Sequence, residues 1–246
     1  MPLSKIVKIL IILLSVSFVT LQWMGLEKIS LLAGSASLVF FLVYYLIWGN
    51  TKATNFVLFI LFFTLGFLVS SIDFFIEDIN QSTLNTLYFS GNILYISAYT
   101  FLIMKIIQGL NLKKVLLKSP FVSIVLLVLD VFFVILVTEV TLSELPKDEY
   151  QIFSQLVEYF YTGIIMLVLS MALINYLHRY DNKSMLILIG SICIVFSEIM
   201  QLTYFYVLEE PFINFIYGFF IVLAFVFLYK QSKLKFTGPE PEPEYF

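Results

Sequence analysis

Apolar runs of about 20 residues recur along almost the whole chain, and they constrain its fold more than any other feature. A helix of that length matches the hydrocarbon thickness of a bilayer, about 30 Å. Of the 246 residues, 61% are hydrophobic and 13% are charged, so a soluble domain could not keep this much apolar surface out of water. The sequence therefore predicts an all-α membrane protein.

The runs predict a bundle of about eight transmembrane helices that forms one polytopic domain, residues 1–235. The predicted spans are 6–24, 29–48, 54–76, 84–106, 119–140, 150–176, 184–208 and 211–230. The connections are short, and the longest lie around Asn111–Lys118 and Thr141–Glu149. After Lys235, alternating Pro and Glu favour an extended, solvated conformation, which predicts a disordered acidic cytoplasmic tail over 236–246.

The positive charges fall on one side of this predicted bundle. Lys28 and Lys147 lie on one side, and the amino-terminal side carries the other twelve of the fourteen Lys and Arg residues. These twelve are Lys5, Lys8, Lys52, Lys105, Lys113, Lys114, Lys118, Arg179, Lys183, Lys230, Lys233 and Lys235. Because basic loops stay in the cytoplasm, we expect both termini to be cytoplasmic.

Charge and cysteine content also limit the partners and the location. The net charge of -3 argues against a nucleic-acid partner. His178 and Cys193 are the only residues of their types, so we predict no metal site and no cofactor. The near-absence of cysteine fits a bacterial inner (cytoplasmic) membrane.

Polar residues of five predicted spans cluster at one depth. At about 1.5 Å of rise per residue, all lie within roughly 5–15 Å of the outer boundary of the bilayer. They are Asp73, Asn92, Asp130, Glu158, Glu198 and Gln201. Helical spacing adds three polar stripes, namely Asn85, Tyr88, Asn92, Tyr95 and Tyr99; Gln151, Gln155, Glu158 and Thr162; and Ser191, Glu198 and Gln201. Ionisable residues inside a span are costly and mark function or a specific partner, so we predict that this layer lines a cavity.

A structural role fits several of the same side chains. Tyr and Asn stripes also form hydrogen bonds between helices, and Glu158 could bond to a neighbouring span in that way. For Asp130, which is flanked by LLVL and VFFV, we predict a protonated or paired structural carboxyl. Asp73 lies close enough to the interface to be a solvated helix end.

The spans resemble, in order and content, those of the YhhN-like membrane proteins, the lysoplasmalogenase family. That family has eight spans, an acidic residue in the third and a G-A-x-x-F-x-x-S-D pattern in the seventh. Asp73 in SSIDFF and Glu198 in GSICIVFSEIM stand at those positions, with Glu in place of Asp. Further matches are Gly190, Ser197, Tyr161, Met166, Ala172 and Gly91. Ser97 stands where the family has His, and Lys28-Ile29 replaces a Lys-Pro pair.

The resemblance implies a hydrolase that cleaves the vinyl-ether bond of lysoplasmalogens, with a membrane lipid as substrate. Two carboxyls with different environments suit this reaction. Burial would keep Glu198 protonated as the acid, and Asp73, nearer water, would stay ionised and stabilise the cation. We expect the substrate to bind at Asn92, Tyr95, Tyr99, Glu158 and Gln201.

Two other functions fit the sequence. A non-catalytic chain could bind a lipid or serve as a structural subunit beside a membrane-protein partner. A proton-coupled carrier is the third hypothesis, although such a path needs polar residues through the inner half of the bilayer, where this chain has few.

Overall fold

The computed structural model describes residues 2–49, 54–76, 80–108, 110, 112–118, 120–144 and 151–237. In these ranges the chain forms nine α-helices, one 3-10 helix (Asp73–Phe75) and no strand. The α-helices are α1 (Leu3–Trp23), α2 (Glu27–Trp48), α3 (Thr54–Ser70), α4 (Gln81–Ile107), α5 (Leu112–Lys118), α6 (Pro120–Glu144), α7 (Gln151–Arg179), α8 (Asn182–Tyr206) and α9 (Pro211–Ser232). Seven of them are long and apolar enough to cross a membrane, so the protein is an integral membrane protein.

The helix α3 is shorter than the predicted span 54–76. Its 17 residues reach about 25 Å, against about 30 Å of hydrocarbon. The hydroxyl of Ser71 donates to the carbonyl of Phe67 at 2.6 Å, and the Ser71 amide donates to the carbonyls of Phe67 and Leu68. Such local bonds compete with regular helix, so the chain leaves the α-helix here and continues into the 3-10 helix.

The predicted loop around Asn111–Lys118 is also corrected by the structure. Residues Leu112–Lys118 form the short helix α5, and α6 begins directly afterwards at Pro120. The other predicted long loop, Thr141–Glu149, starts inside α6, which continues to Glu144; residues 145–150 lie outside the described ranges.

Local sequence signals explain several helix ends. The Asn80 side chain accepts the Thr83 amide at 2.8 Å and caps α4. Asp181 and Ser184 form a capping box at the start of α8. Gly25 connects α1 to α2 with a φ of +68°, a conformation that glycine adopts without steric cost.

Seven helices form a closed ring. Contacts join α1 to α2, α2 to α3, α3 to α4, α4 to α7, α7 to α8, α8 to α9 and α9 back to α1. The helix α6 lies outside this ring against α7. Aromatic side chains fill part of the interior, where Phe225 of α9 packs against Phe41, Phe59 and Phe63 at centroid distances of 5.0–5.7 Å.

The start of α1 and the end of α9 lie at the same end of the bundle. Lys8 lies over the ring of Tyr44 at the end of α2, and the Tyr229 hydroxyl of α9 donates to that of Tyr44 at 3.3 Å. Arg179 at the end of α7 donates to the carbonyl of Gln108 just after α4. We call this the basic end, because Lys8, Lys105, Arg179, Lys183, Lys230 and Lys233 all belong to helix ends there.

The chain after α9 packs on the connection between α7 and α8. Phe236 lies 3.7 Å from the Arg179 guanidinium and 4.4 Å from the Lys183 ammonium, measured to its ring centroid. The Thr237 amide donates to Asp181 at 2.9 Å. The packed chain therefore extends two residues into the predicted tail 236–246, whose remaining residues, 238–246, lie outside the described ranges.

Candidate functional site

A cavity of about 340 Å³ lies in the half of the bundle away from the basic end, and we call it the carboxylate cavity. Every helix of the ring contributes to its wall. The residues that define it are Gln22 of α1, Glu27 of α2, Phe67 of α3, Tyr88, Asn92 and Tyr95 of α4, Glu158 and Tyr161 of α7, Glu198 and Gln201 of α8, and Asn214 and Tyr217 of α9. Its volume is at the lower end of the roughly 300–1,000 Å³ typical of small-molecule sites.

Glu198 is a buried carboxyl held by tyrosines from two other helices of the ring. Its side chain is 5% exposed. One carboxyl oxygen accepts the Tyr99 hydroxyl of α4, and the other accepts the Tyr161 hydroxyl of α7 at 2.6 Å. Glu198 therefore joins three helices of the ring at one point, with a hydrogen-bond donor on each oxygen.

Glu158 forms a second carboxyl–tyrosine pair nearer the end of the bundle. Its carboxyl accepts the Tyr88 hydroxyl at 2.6 Å. Glu27 forms a third pair, with Tyr204 of α8. Three carboxyls thus line one cavity, and none of the described residues that line it is Lys or Arg. Where ionised, they make the cavity attractive to a cation.

The close approach of α3 and α4 places the tyrosine stripe. A Cβ atom at Gly66 would lie 3.2 Å from the Tyr95 ring, and one at Gly91 would lie 2.8 Å from the Ser70 hydroxyl. Glycine at these two positions lets the helices pack closely enough for Tyr95 to reach the cavity wall. The side-chain amide of Asn92 donates to the backbone carbonyl of Tyr88 at 2.9 Å. This bond orients the Asn92 side chain toward the preceding turn of α4.

The structure brings most of the sequence-predicted site residues together. Asn92, Tyr95, Glu158, Glu198 and Gln201 line the cavity, and Tyr99 reaches it through its bond to Glu198. Asp73 belongs to the 3-10 helix Asp73–Phe75, and its side chain lies outside the described part of the structure.

Asp130 lies apart from the carboxylate cavity, on α6. It accepts the Ser170 hydroxyl of α7 at 2.8 Å, which agrees with the structural pairing predicted for it. From the other polar stripes, Thr162 is buried in α7, and Ser191 bonds to the Ile187 carbonyl of its own helix at 2.9 Å.

Sequence reasoning missed the contributions of α1, α2 and α9. Gln22 is 2% exposed, and its carbonyl oxygen has no hydrogen-bond partner among the described residues. A glutamine inside an apolar span was a usable signal for a cavity-facing position. Glu27 gave no such signal, because it starts a helix beside Lys28 and looks like an ordinary interfacial residue.

No metal-binding group of three or more His, Cys, Asp or Glu side chains occurs in the ranges that the structure describes. Comparisons of the chain with protein-family models, curated proteins and solved structures find no significant match.

Proposed function

We propose that the chain belongs to the lysoplasmalogenase family and hydrolyses the vinyl-ether bond of a lysoplasmalogen-type lipid in the carboxylate cavity. The observation that carries this proposal is Glu198, a buried carboxyl that faces the cavity between two tyrosine hydroxyls. A carboxyl in such a setting is a suitable proton donor. The proposed reaction is inferred from the sequence resemblance, and the residues proposed to perform it line the cavity.

The cavity suits a single-chain lipid whose zwitterionic headgroup ends in an ammonium group. Glu27 and Glu158 offer negative charge, and Tyr88 and Tyr206 offer aromatic rings beside them. Ammonium groups bind favourably to carboxylates and to the faces of aromatic rings. In the proposed complex the headgroup amine lies near Glu158, and the vinyl ether lies deeper, beside Glu198, Asn92 and Tyr95.

The proposed reaction begins when Glu198 gives its proton to the alkene carbon that is not bonded to oxygen. This protonation leaves an oxocarbenium ion. Water then adds to the carbon that bears the oxygen and releases a proton to a carboxylate. The resulting hemiacetal then breaks its bond to the glycerol oxygen. The glycerol oxygen takes up a proton, and the hemiacetal hydroxyl loses one to become the aldehyde carbonyl. One water is consumed, and a fatty aldehyde and a glycerophospho-headgroup leave. Asp73 remains, on sequence grounds, the proposed carboxylate that stabilises the cation and orients the water.

Aldehyde release from purified protein tests this function. A lysoplasmalogen should yield aldehyde, whereas a lysolipid with the same headgroup and a saturated ether bond should yield none, because it cannot be protonated to an oxocarbenium ion. Ethanolamine and choline headgroups should be preferred over an anionic headgroup. Equal turnover of an anionic lysoplasmalogen would contradict the headgroup assignment.

A second candidate function is lipid binding without hydrolysis, as a binding protein or a subunit of a membrane complex. One observation favours it: both oxygens of Glu198 already accept hydrogen bonds, which is typical of a stable structural carboxyl. Saturable lysolipid binding with no aldehyde, in a folded preparation, would select this function over the enzyme.

We also propose eight membrane crossings, with α3 as the eighth, and both termini in the cytoplasm of a bacterial cell. The basic end supports this orientation, since positively charged helix ends stay in the cytoplasm. The antiparallel packing of α3 and α4 supports α3 as a crossing, because Phe62 halfway along α3 meets Phe101, whereas Ser70 at the end of α3 meets Gly91.

A further inference from the structure

A second cavity, of about 350 Å³, opens at the basic end between α1, α2 and α9. We call it the lysine-rimmed cavity. Its wall is apolar and aromatic, with Ile11, Phe18, Phe41, Phe63, Ile221 and Phe225 among the lining residues. Phe67 of α3 lines both cavities, whereas none of the three carboxyls Glu27, Glu158 and Glu198 lines this one.

Three lysines stand at the mouth of this cavity. Lys8, Lys230 and Lys233 all line it and are exposed. Lys8 lies 5.5 Å from the ring centroid of Tyr44, and Lys233 lies 4.1 Å from that of Tyr229. The two tyrosines are joined by their hydroxyls at 3.3 Å. The mouth therefore presents three positive charges around two hydroxyls, an arrangement that suits a phosphate.

The depth of the cavity matches one acyl chain. Lys8 and Phe18 both line it, and ten residues of α1 span about 15 Å, half the hydrocarbon thickness of about 30 Å. Ile12 and Val226 also line it while being 61% and 40% exposed on the outside of the bundle. The cavity is thus open sideways to the acyl-chain region as well as at its charged mouth.

We propose that the lysine-rimmed cavity binds an anionic membrane phospholipid, with its phosphate at Lys8, Lys230 and Lys233 and one acyl chain between α1, α2 and α9. Charge complementarity selects an anionic lipid, because the described lining contains three lysines and no acidic residue. This site is separate from the proposed reaction at Glu198. Lipid bound here would hold α9 against α1 and so support the ring without taking part in catalysis.

Lipid binding to the purified full chain in detergent, followed by native mass spectrometry, tests this proposal. Phosphatidylglycerol and phosphatidylcholine with identical acyl chains are the probes. We expect the parent protein to bind phosphatidylglycerol at least about tenfold more tightly, a difference of about 1.4 kcal/mol. Lys8→Gln/Lys230→Gln/Lys233→Gln should remove this preference.

Two further variants separate the site from general charge and from the carboxylate cavity. Lys5→Gln/Lys113→Gln/Lys235→Gln removes the same charge from exposed positions that do not line the cavity, and it should keep the preference. Val222→Phe adds volume to the apolar wall and should weaken binding of both lipids while keeping all lysines. Glu198→Gln should leave binding unchanged.

Several results would overturn the proposal. They are equal binding of the two lipids by the parent protein, an unchanged preference in the Lys8/Lys230/Lys233 variant, and loss of preference in both triple-lysine variants. Glycerol phosphate, which has no acyl chain, should bind far more weakly than the lipid. Equal binding of glycerol phosphate would show that the lysines take a phosphate without the apolar cavity.

Discussion

Each oxygen of Glu198 has one tyrosine donor, so the two tyrosines are not interchangeable with phenylalanine. Removing one hydroxyl leaves a buried carboxyl oxygen without its donor, and an unsatisfied buried polar group costs about 1–3 kcal/mol. A phenylalanine ring keeps the packing of the tyrosine ring, so the loss of stability comes from the missing hydroxyl alone.

We therefore predict that Tyr161→Phe lowers the free energy of unfolding by about 1–2 kcal/mol. Tyr159→Phe is the matched control, since Tyr159 is on the same helix but 43% exposed. Cys193 is buried, so its thiol should react with a thiol-specific fluorescent dye when the protein unfolds. The rise in fluorescence during heating therefore gives the melting temperature. Equal melting temperatures of the two variants would contradict the role given to Tyr161.

At this scale the sequence predicted which residues are polar and inside a span, but not their partners. The 3-4-3-4 spacing of the α4 stripe is a property of one helix, so it could be read directly and it placed Tyr88, Asn92 and Tyr95 on one face. The pairing of Glu27 with Tyr204 joins residues 177 positions apart. It depends on which helices are neighbours in the ring, and that information is not contained in the periodicity of either helix.

Among the elements, α6 packs against α7 and also has a polar contact with it, between Asp130 and Ser170. It is the least buried of the seven long helices and lies outside the ring. The bond between Asp130 and Ser170 at 2.8 Å connects it to α7 in the middle of otherwise apolar sequence.

A double-mutant cycle of Asp130→Leu and Ser170→Ala measures this contact. We predict a coupling energy of about 0.5–2 kcal/mol from reversible unfolding in mixed micelles, the range found for hydrogen bonds between membrane helices. Ser191→Ala is the control, because the Ser191 hydroxyl bonds within its own helix. Additive effects of Asp130→Leu and Ser170→Ala would show that the bond does not hold α6.

Helix positions were predictable because an apolar run of bilayer length has few alternatives in a membrane. The early end of α3 and the short α5 were not. The end of α3 depends on a local hydrogen bond from Ser71 to Phe67 inside an apolar run. The α5 sequence LKKVLLK is too short and too basic to be recognised as a membrane span.

In the complete bundle, the closed ring supports the proposed crossing of the membrane by α3. Met24 follows α1, and Glu209 follows α8, at the same end of the bundle. With the proposed cytoplasmic amino terminus, both positions lie outside the cytoplasm if α3 crosses. If α3 does not cross, Glu209 lies in the cytoplasm and Met24 lies outside it.

Labelling of single cysteines in a Cys193→Ser background tests this topology. With a membrane-impermeant maleimide on intact spheroplasts, we predict labelling of Met24→Cys and Glu209→Cys, both exposed positions. Lys5→Cys and Lys233→Cys at the basic end should label after permeabilisation alone. Labelling of Met24→Cys but not Glu209→Cys would contradict eight crossings.

Single-turnover aldehyde release from lysoplasmalogen tests whether Glu198 supplies the proton in the carboxylate cavity. Four purified proteins are compared: the parent, Glu198→Gln, Asp73→Asn and, as a control carboxyl exposed on α6, Glu139→Gln. We predict release by the parent and by Glu139→Gln, and a loss of at least about 100-fold in Glu198→Gln, the usual contribution of general acid catalysis. Asp73→Asn should also release aldehyde more slowly than the parent, because it lacks the carboxylate proposed to stabilise the cation. Release by Glu198→Gln at the rate of the parent protein would contradict the proton-donor role of Glu198.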